Sequence, residues 1–131
     1  MSILIEISIG EFLDKLTILR IKSERVTDPD KLVNIRKELQ RLEKKWEETG
    51  HQHGSVMRDV QELTSINETL WEIEDRIRRK EREKSFDEEF IELARTVYLT
   101  NDRRARIKKS INEKLNSALV EEKFYDDHQR G

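Results

Sequence analysis

The sequence predicts an all-α protein, an antiparallel bundle of four long helices with a short N-terminal β-strand. Three observations predict the helices. Ala, Glu, Lys, Leu and Arg supply 61 of the 131 residues, a composition typical of long helices. One Pro and four Gly leave too few turn residues for a many-stranded sheet. Apolar residues recur every three or four positions over four stretches, the period of a helix face.

Residues 3–7, ILIEI, carry the strand signal, with Ile3, Ile5 and Ile7 on one side. A lone strand needs a partner for its backbone groups. Either 118–124, ALVEEKF, or the same strand of a second subunit could supply it. Ser8 and Glu11 have the spacing of a capping box and open a first helix over about 9–26. Its apolar face is Phe12, Leu13, Leu16, Leu19 and Val26, widened by Ile9, Ile18 and Ile21. Asp28 is an N-cap with Pro29 at the first helical position, where its missing N–H costs nothing. The second helix then runs over about 29–49 on Leu32, Ile35, Leu39, Leu42 and Trp46.

GHQHG, 50–54, is a short link. A third helix over about 55–84 follows on the seam Val56, Val60, Leu63, Ile66, Leu70, Ile73 and Ile77, and then runs out into the charged stretch RRKEREK. Ser85 and Glu88 repeat the capping-box spacing before a fourth helix, about 86–116. This carries Phe86, Phe90, Leu93, Ala94 and Val97, then Ala105, Ile107, Ile111 and Leu115. Thr100, Asn101 and Asp102 are weak helix formers at its centre. A continuous or kinked helix is expected there. The domain spans 1–125, and 126–131 reads as a disordered tail.

Charged residues make up 41% of the chain and hydrophobic ones 34%. Long helices with so narrow an apolar stripe bury little surface in one copy. A homodimer or higher homo-oligomer is therefore expected, with seams from helices 2 to 4 shared between subunits. The formal net charge of −2 argues against general nucleic-acid binding. No apolar run is long enough to span a membrane, and no secretory signal opens the chain. With no Cys there is no disulfide or thiolate metal site. The expected location is cytoplasmic, and no cofactor is expected.

Three constellations have side chains that could do chemistry. In NETLWEIEDRIRR, 67–79, Asn67, Trp71, Glu74 or Asp75, and Arg78 fall along one stripe beside the apolar seam. They form either a solvated flank or a binding wall, with Trp71 as a platform and the carboxylates as acceptors. In ELARTVYLTNDRRARIKK, 92–109, Glu92, Arg95, Tyr98, Asn101 and Asp102 share a side, with Asn112 near it. Ala94 and Ala105 are small enough to admit a helix or a ligand. A Tyr-Asn-Asp group in mid-helix costs stability unless it is paired or functional. It therefore reads as a register-fixing network or as a ligand site. In the first helix, Asp14, Lys15, Lys22 and Arg25 interrupt an apolar segment. Solvation is the simpler account, and holding an anion against the fourth helix is the sharper one.

The remaining signals are weaker. Glu72 with Asp75 and Glu89 with Glu92 are carboxylate pairs of a kind that binds magnesium in helical nucleotide pyrophosphohydrolases. A chain with 28 acids makes such pairs readily by chance. His51, His53 and His128 lie outside the helical seams, so the E-x-x-H motifs of di-iron bundles are missing. A basic cluster at Arg103, Arg104, Arg106, Lys108 and Lys109 could contact phosphates, though a solvated face is the default.

Several segments already quoted also carry a resemblance. EISIGEFLDKLTILRIKSERV (6–26), NETLWEIED (67–75), and ELARTVYLTNDRRARIKKSIN with SALVEEKFY (within 92–125) resemble an uncharacterised family of small bacterial and phage proteins, a domain of unknown function. The departures fall at 43–60 and 78–85, which look like variable connections. The resemblance implies a free-standing domain and supplies no catalytic residues.

Two functional readings follow. The first is a non-catalytic interaction or ligand-binding module for a protein partner or a small anionic ligand. The second is a small all-α enzyme acting on a nucleotide or anionic metabolite through charge placement, as helical mutases of the chorismate type do. Its site would set Arg95, Tyr98, Asn101 and Asp102 opposite Trp71, Glu74 and Asp75.

Overall fold

The computed structural model of the chain describes residues 1–49 and 53–117. Four α-helices account for most of them: α1 (Ile9–Arg25), α2 (Pro29–Glu48), α3 (Met57–Arg82) and α4 (Glu88–Lys114). A 3₁₀ turn, His53–Val56, leads into α3. The link residues 50–52, the proposed pairing strand 118–124 and the tail 126–131 lie outside the described residues.

Local chemistry sets most helix ends. Ser8 Oγ accepts the Glu11 N–H at 3.1 Å and starts α1. Asp28 Oδ1 accepts the N–H groups of Asp30 and Lys31 at 2.9 and 3.4 Å, ahead of Pro29. Asp87, and not Ser85, caps α4 by accepting the Phe90 N–H at 3.0 Å. Ser85 is still engaged by the end of α3, where its N–H donates to the Lys80 carbonyl at 2.9 Å and the Lys84 N–H to Glu81 at 3.1 Å. That pair of bonds is a Schellman ending, with Lys84 in the left-handed region at φ 56°. α4 ends the same way: Asn116 has φ 50°, and the Ser117 N–H donates to the Asn112 carbonyl at 2.9 Å. α4 runs unbroken through Thr100, Asn101 and Asp102. Thr100 is buried on its inner face.

One sequence expectation is corrected. Residues 3–7 form no strand: residues 1–8 carry no ladder, turn or bend. Among the described residues the only regular elements are helices, so the segment finds no sheet edge to join there. The four helices do not contribute equally to the bundle. α1 lies against α2, α3 and α4, and α3 lies against α4, but the α2 backbone approaches α1 alone. α1, α3 and α4 thus form a three-helix core around Leu13, Leu16, Val56, Leu63 and Ile111. The α3 seam is inside as predicted, with Leu63, Ile66, Leu70 and Ile73 buried.

α2 has no buried residue of its own. Leu39, Leu42 and Trp46 reach the core from outside, and the rings of Trp46 and Phe12 stand 6.2 Å apart. Exposed ion pairs, Arg20–Glu43 at 3.2 Å and Lys15–Glu38 at 3.6 Å, run along the same seam. Such pairs contribute little each, so apolar contact holds α2.

α1 and α4 meet most closely at Gly10. A Cβ at this position would collide with the Lys108 carbonyl oxygen and lie 3.0 Å from its carbon. The Gly10 N–H donates to Asn112 Oδ1 at 2.7 Å, and the Ile9 N–H to Ser117 Oγ at 3.2 Å. With Ser8 Oγ accepting from Glu11 and the Ser8 carbonyl taking the first intrahelical bond, from Phe12, the N–H groups of the first four helical residues, Ile9 to Phe12, all have partners.

Gly10→Ala should therefore be strongly destabilising. Its neighbour is helix backbone that cannot swing away, and overpacking of this kind costs roughly 1–3 kcal/mol or more. Gly54→Ala, where nothing lies within 4 Å, is the control. Thermal denaturation followed by circular dichroism should show a Tm several degrees lower for Gly10→Ala and almost unchanged for Gly54→Ala. Equal melting temperatures would contradict the close helix contact.

Candidate functional site

The densest polar constellation in the described residues sits where α1, α3 and α4 meet, one turn beyond Gly10. Asp14 points into the core, its side chain only 5% exposed. Its Oδ1 accepts from Asn67 Nδ2 of α3 at 2.9 Å. Its Oδ2 lies 3.9 Å from both Arg104 Nε and Lys108 Nζ of α4. Asn67 Nδ2 also donates to Thr17 Oγ1 at 3.1 Å. Thr17 in turn donates to the Asp14 carbonyl at 2.8 Å. Asn67 Oδ1 accepts from Arg104 Nη1 at 3.2 Å. Lys108 Nζ donates to Glu11 Oε2, one turn before Asp14.

Charges in this cluster come as two carboxylates and two cations. Asn67 relays between them, using both its donor and its acceptor side. Burying charge without such partners would cost several kcal/mol per ion. Chemically, the cluster can fix helix register and offer a charged rim where Arg104 is partly exposed. Thr17, the hydroxyl of the cluster among the described residues, donates to a backbone carbonyl and not to a carboxylate.

Of the residues proposed as a site, Asn67 alone enters the cluster. Trp71, Asn101 and Asp102 are half-buried, and Asp75 and Tyr98 are exposed. Glu74 pairs within α3 to Arg78 at 3.9 Å, and Arg95 within α4 to Glu92 at 3.3 Å. Among the described residues, no hydrogen bond or ion pair joins Trp71, Glu74 or Asp75 to Arg95, Asn101 or Asp102. Asn112, placed with the mid-helix group by its spacing, instead caps α1. Solvation is the wrong account of Asp14, and it also fails for Arg104 and Lys108 of the basic cluster.

The sequence did hold a signal for these residues. Gly10, Asp14, Thr17 and Ile21 share one face of α1, and a carboxylate between Leu13 and Leu16 on that face has to meet a cation inside. Arg104, Lys108 and Asn112 recur at four-residue spacing on α4 and supply the matching stripe.

Two other charged places are simpler. A shallow groove between α3 and α4 is lined by Asp59, Glu62, Arg103, Arg106, Ile107 and Ser110. Asp59 there pairs with Lys114 at 2.7 Å. The groove mixes both signs and selects neither. Three of the four carboxylates weighed as magnesium ligands pair with arginines: Glu72 meets Arg25 at 3.5 Å, Glu89 meets Arg76 at 2.8 Å and Glu92 meets Arg95. No group of three His, Asp or Glu side chains suited to a metal ion occurs among the described residues. Of the histidines, His53 begins the 3₁₀ turn, while His51 and His128 lie outside the described residues. No helix among them is long and apolar enough to cross a membrane.

Residues 3–129 match DUF6165, described as a family of unknown function. The chain belongs to this family. Neither a curated protein nor a solved structure is significantly similar to it. The match to DUF6165 takes in the whole three-helix core, with both partners of every contact in the polar cluster. It also takes in the α3–α4 turn, where the electrostatics are strongest. Lys80 donates to Asp87 at 2.8 and 2.9 Å and stands 3.2 Å from Glu89. The Lys80 ammonium, helped by the Phe90 N–H, lowers the Asp87 carboxyl from 3.8 to about 2. Lys80 and then Arg76 lower Glu89, and Asp87 raises Lys80 in return.

Two predictions follow from these contacts. Asn67→Ala should cost roughly 2–3 kcal/mol, because it leaves Asp14, Thr17 and Arg104 short of partners in a buried place. Asn101→Ala, which removes no hydrogen bond among the described residues, should stay within about 0.5 kcal/mol. Urea unfolding of both variants measures the difference.

The second concerns pH. A folded-state pKa lowered from 3.8 to about 2 means that the Asp87 contact stabilises the fold above 3.8. The contribution is lost as pH falls through about 2. The raised Lys80 value works in the opposite sense, its contribution being present below 10.5 and lost as pH rises through the folded value. A carboxyl NMR titration should find Asp87 near 2 in the native chain and shifted toward 3.8 in Lys80→Met. An unmoved midpoint would remove Lys80 as the cause.

Proposed function

We propose that this chain is a non-catalytic interaction module that presents a helical scaffold to a protein partner. One observation supports the reading above the others: the charges around the buried Asp14 are met by protein groups. Among the described residues, Asp14, Glu11, Arg104 and Lys108 pair with one another through Asn67 and direct contact. This is the expected form of a lock that holds three helices in register. An enzyme site of charge placement would instead aim its cations at an open space where substrate charge develops.

Among the described residues, large apolar side chains are exposed elsewhere, at the N-terminal segment and on α4 at Ile91 and Leu99. Surfaces of that kind serve association. The enzyme reading finds less support, since Arg95 and Glu74 are bound within their own helices.

Native mass spectrometry of the gently purified chain tests this. The expected spectrum carries no retained small anion, and Arg104→Gln leaves it unchanged. A small-molecule adduct present in the native chain and lost in Arg104→Gln would make the cluster a ligand site and overturn the reading.

A further inference from the structure

We infer that this chain forms a homodimer in which the apolar segment Ile3–Ile5 of each copy lies in a groove of the other. The groove runs between the start of α1 and the end of α2. The inference rests on the module reading and names the partner as a second copy.

The segment is apolar and uncovered: Ile3 is 81% exposed, Leu4 96% and Ile5 76%. The groove is lined by Ile7, Ile9 and Phe12 on one side and by Lys45, Trp46 and Thr49 on the other. The two surfaces match in charge as well. Glu6 in the segment and Lys45 in the groove have no ion-pair partner among the described residues, and each could supply the other's.

A chain cannot easily make this contact with itself. Ile7 already lines the groove, so residues 3–5 lead out of it. Folding back would need a reversal within two residues. Residues 1–8 contain no turn or bend, and no Gly, Pro, Asn or Asp that would favour one. The β-branched Ile run resists it further. One sequence therefore carries both halves of a contact that only a second copy can complete. A two-fold axis satisfies both halves at once and closes the assembly.

Sedimentation velocity at micromolar concentration tests the inference, with circular dichroism as the check on folding. The native chain should sediment at twice its 15.8 kDa mass. Ile3→Glu/Ile5→Glu, at positions too exposed to affect the folded monomer, should sediment at that single mass with unchanged helicity. Lys45→Glu should weaken the dimer by roughly two- to fivefold, the range of an exposed ion pair. Adding Glu6→Lys to it should restore the affinity, as a reversed pair.

A native monomer would overturn the inference, as would a dimer indifferent to Ile3→Glu/Ile5→Glu or a charge reversal without rescue. None of these outcomes would touch the module reading, which fails only on a small anion held at Arg104.

Discussion

The contact between α1 and α4 at Gly10 governs the rest of the molecule. Only a residue without a side chain lets the α1 backbone come so near the carbonyl of Lys108. At that separation the end of α4 can do what is normally left to a local cap. Asn112 and Ser117 take the first two N–H groups of α1, about a hundred residues away in sequence. With the two helices held there, Asp14 arrives one turn along α1 as Lys108 and Arg104 arrive one and two turns back along α4. Asn67 then closes the third side. The polar cluster follows from the close contact, since a wider spacing would leave Asp14 buried without its cations.

The cluster is better understood as specifying the arrangement than as adding stability. Buried ion pairs lose much of their Coulomb gain to desolvation. Apolar residues in the same places could hold three helices together about as well. They would tolerate a slip of one helix along another, whereas Asp14, Asn67 and Arg104 meet in one register only. Stability is unevenly spread around this anchor. α1 ends at Arg25, level with Glu72, so α3 and α4 continue as a two-helix arm. That arm relies on Ile73, Ile77 and Leu93 and on the Lys80 pairs at its turn. α2 is attached along one seam by half-buried side chains. Elements with so few buried contacts are the ones expected to open first.

For function, this divides the molecule into a rigid centre and surfaces that can be used. In the function proposed above, the polar cluster fixes the centre, while the exposed apolar side chains of the N-terminal segment and of α4 at Ile91 and Leu99 serve recognition. A low apolar content, 34%, is in keeping with a scaffold completed by association.

Much of this was legible in the sequence. Periodicity located four helices to within a few residues, and the α3 seam from Val56 to Ile77 is the buried one. Ser8 and Asp28 cap where their spacing indicates, because a cap is a bond between neighbours in sequence. The failures have a common cause. Ser85 yielded its capping role to Asp87 because the left-handed Lys84 kept it in the ending of α3, a matter of backbone path. Ile3, Ile5 and Ile7 alternate like a strand, but a strand exists only with an edge to pair with. Asn67 shares helical spacing with Trp71, yet only contact between helices selects Asn67 for the polar cluster. The sequence by itself determined the helices, their caps and their apolar faces, all interactions within about four residues. Only the tertiary structure decided that Gly10 is a contact point, that Asn112 caps a helix it does not belong to, and that Asp14 is a core residue. Those depend on the distance between helices, which no local pattern contains.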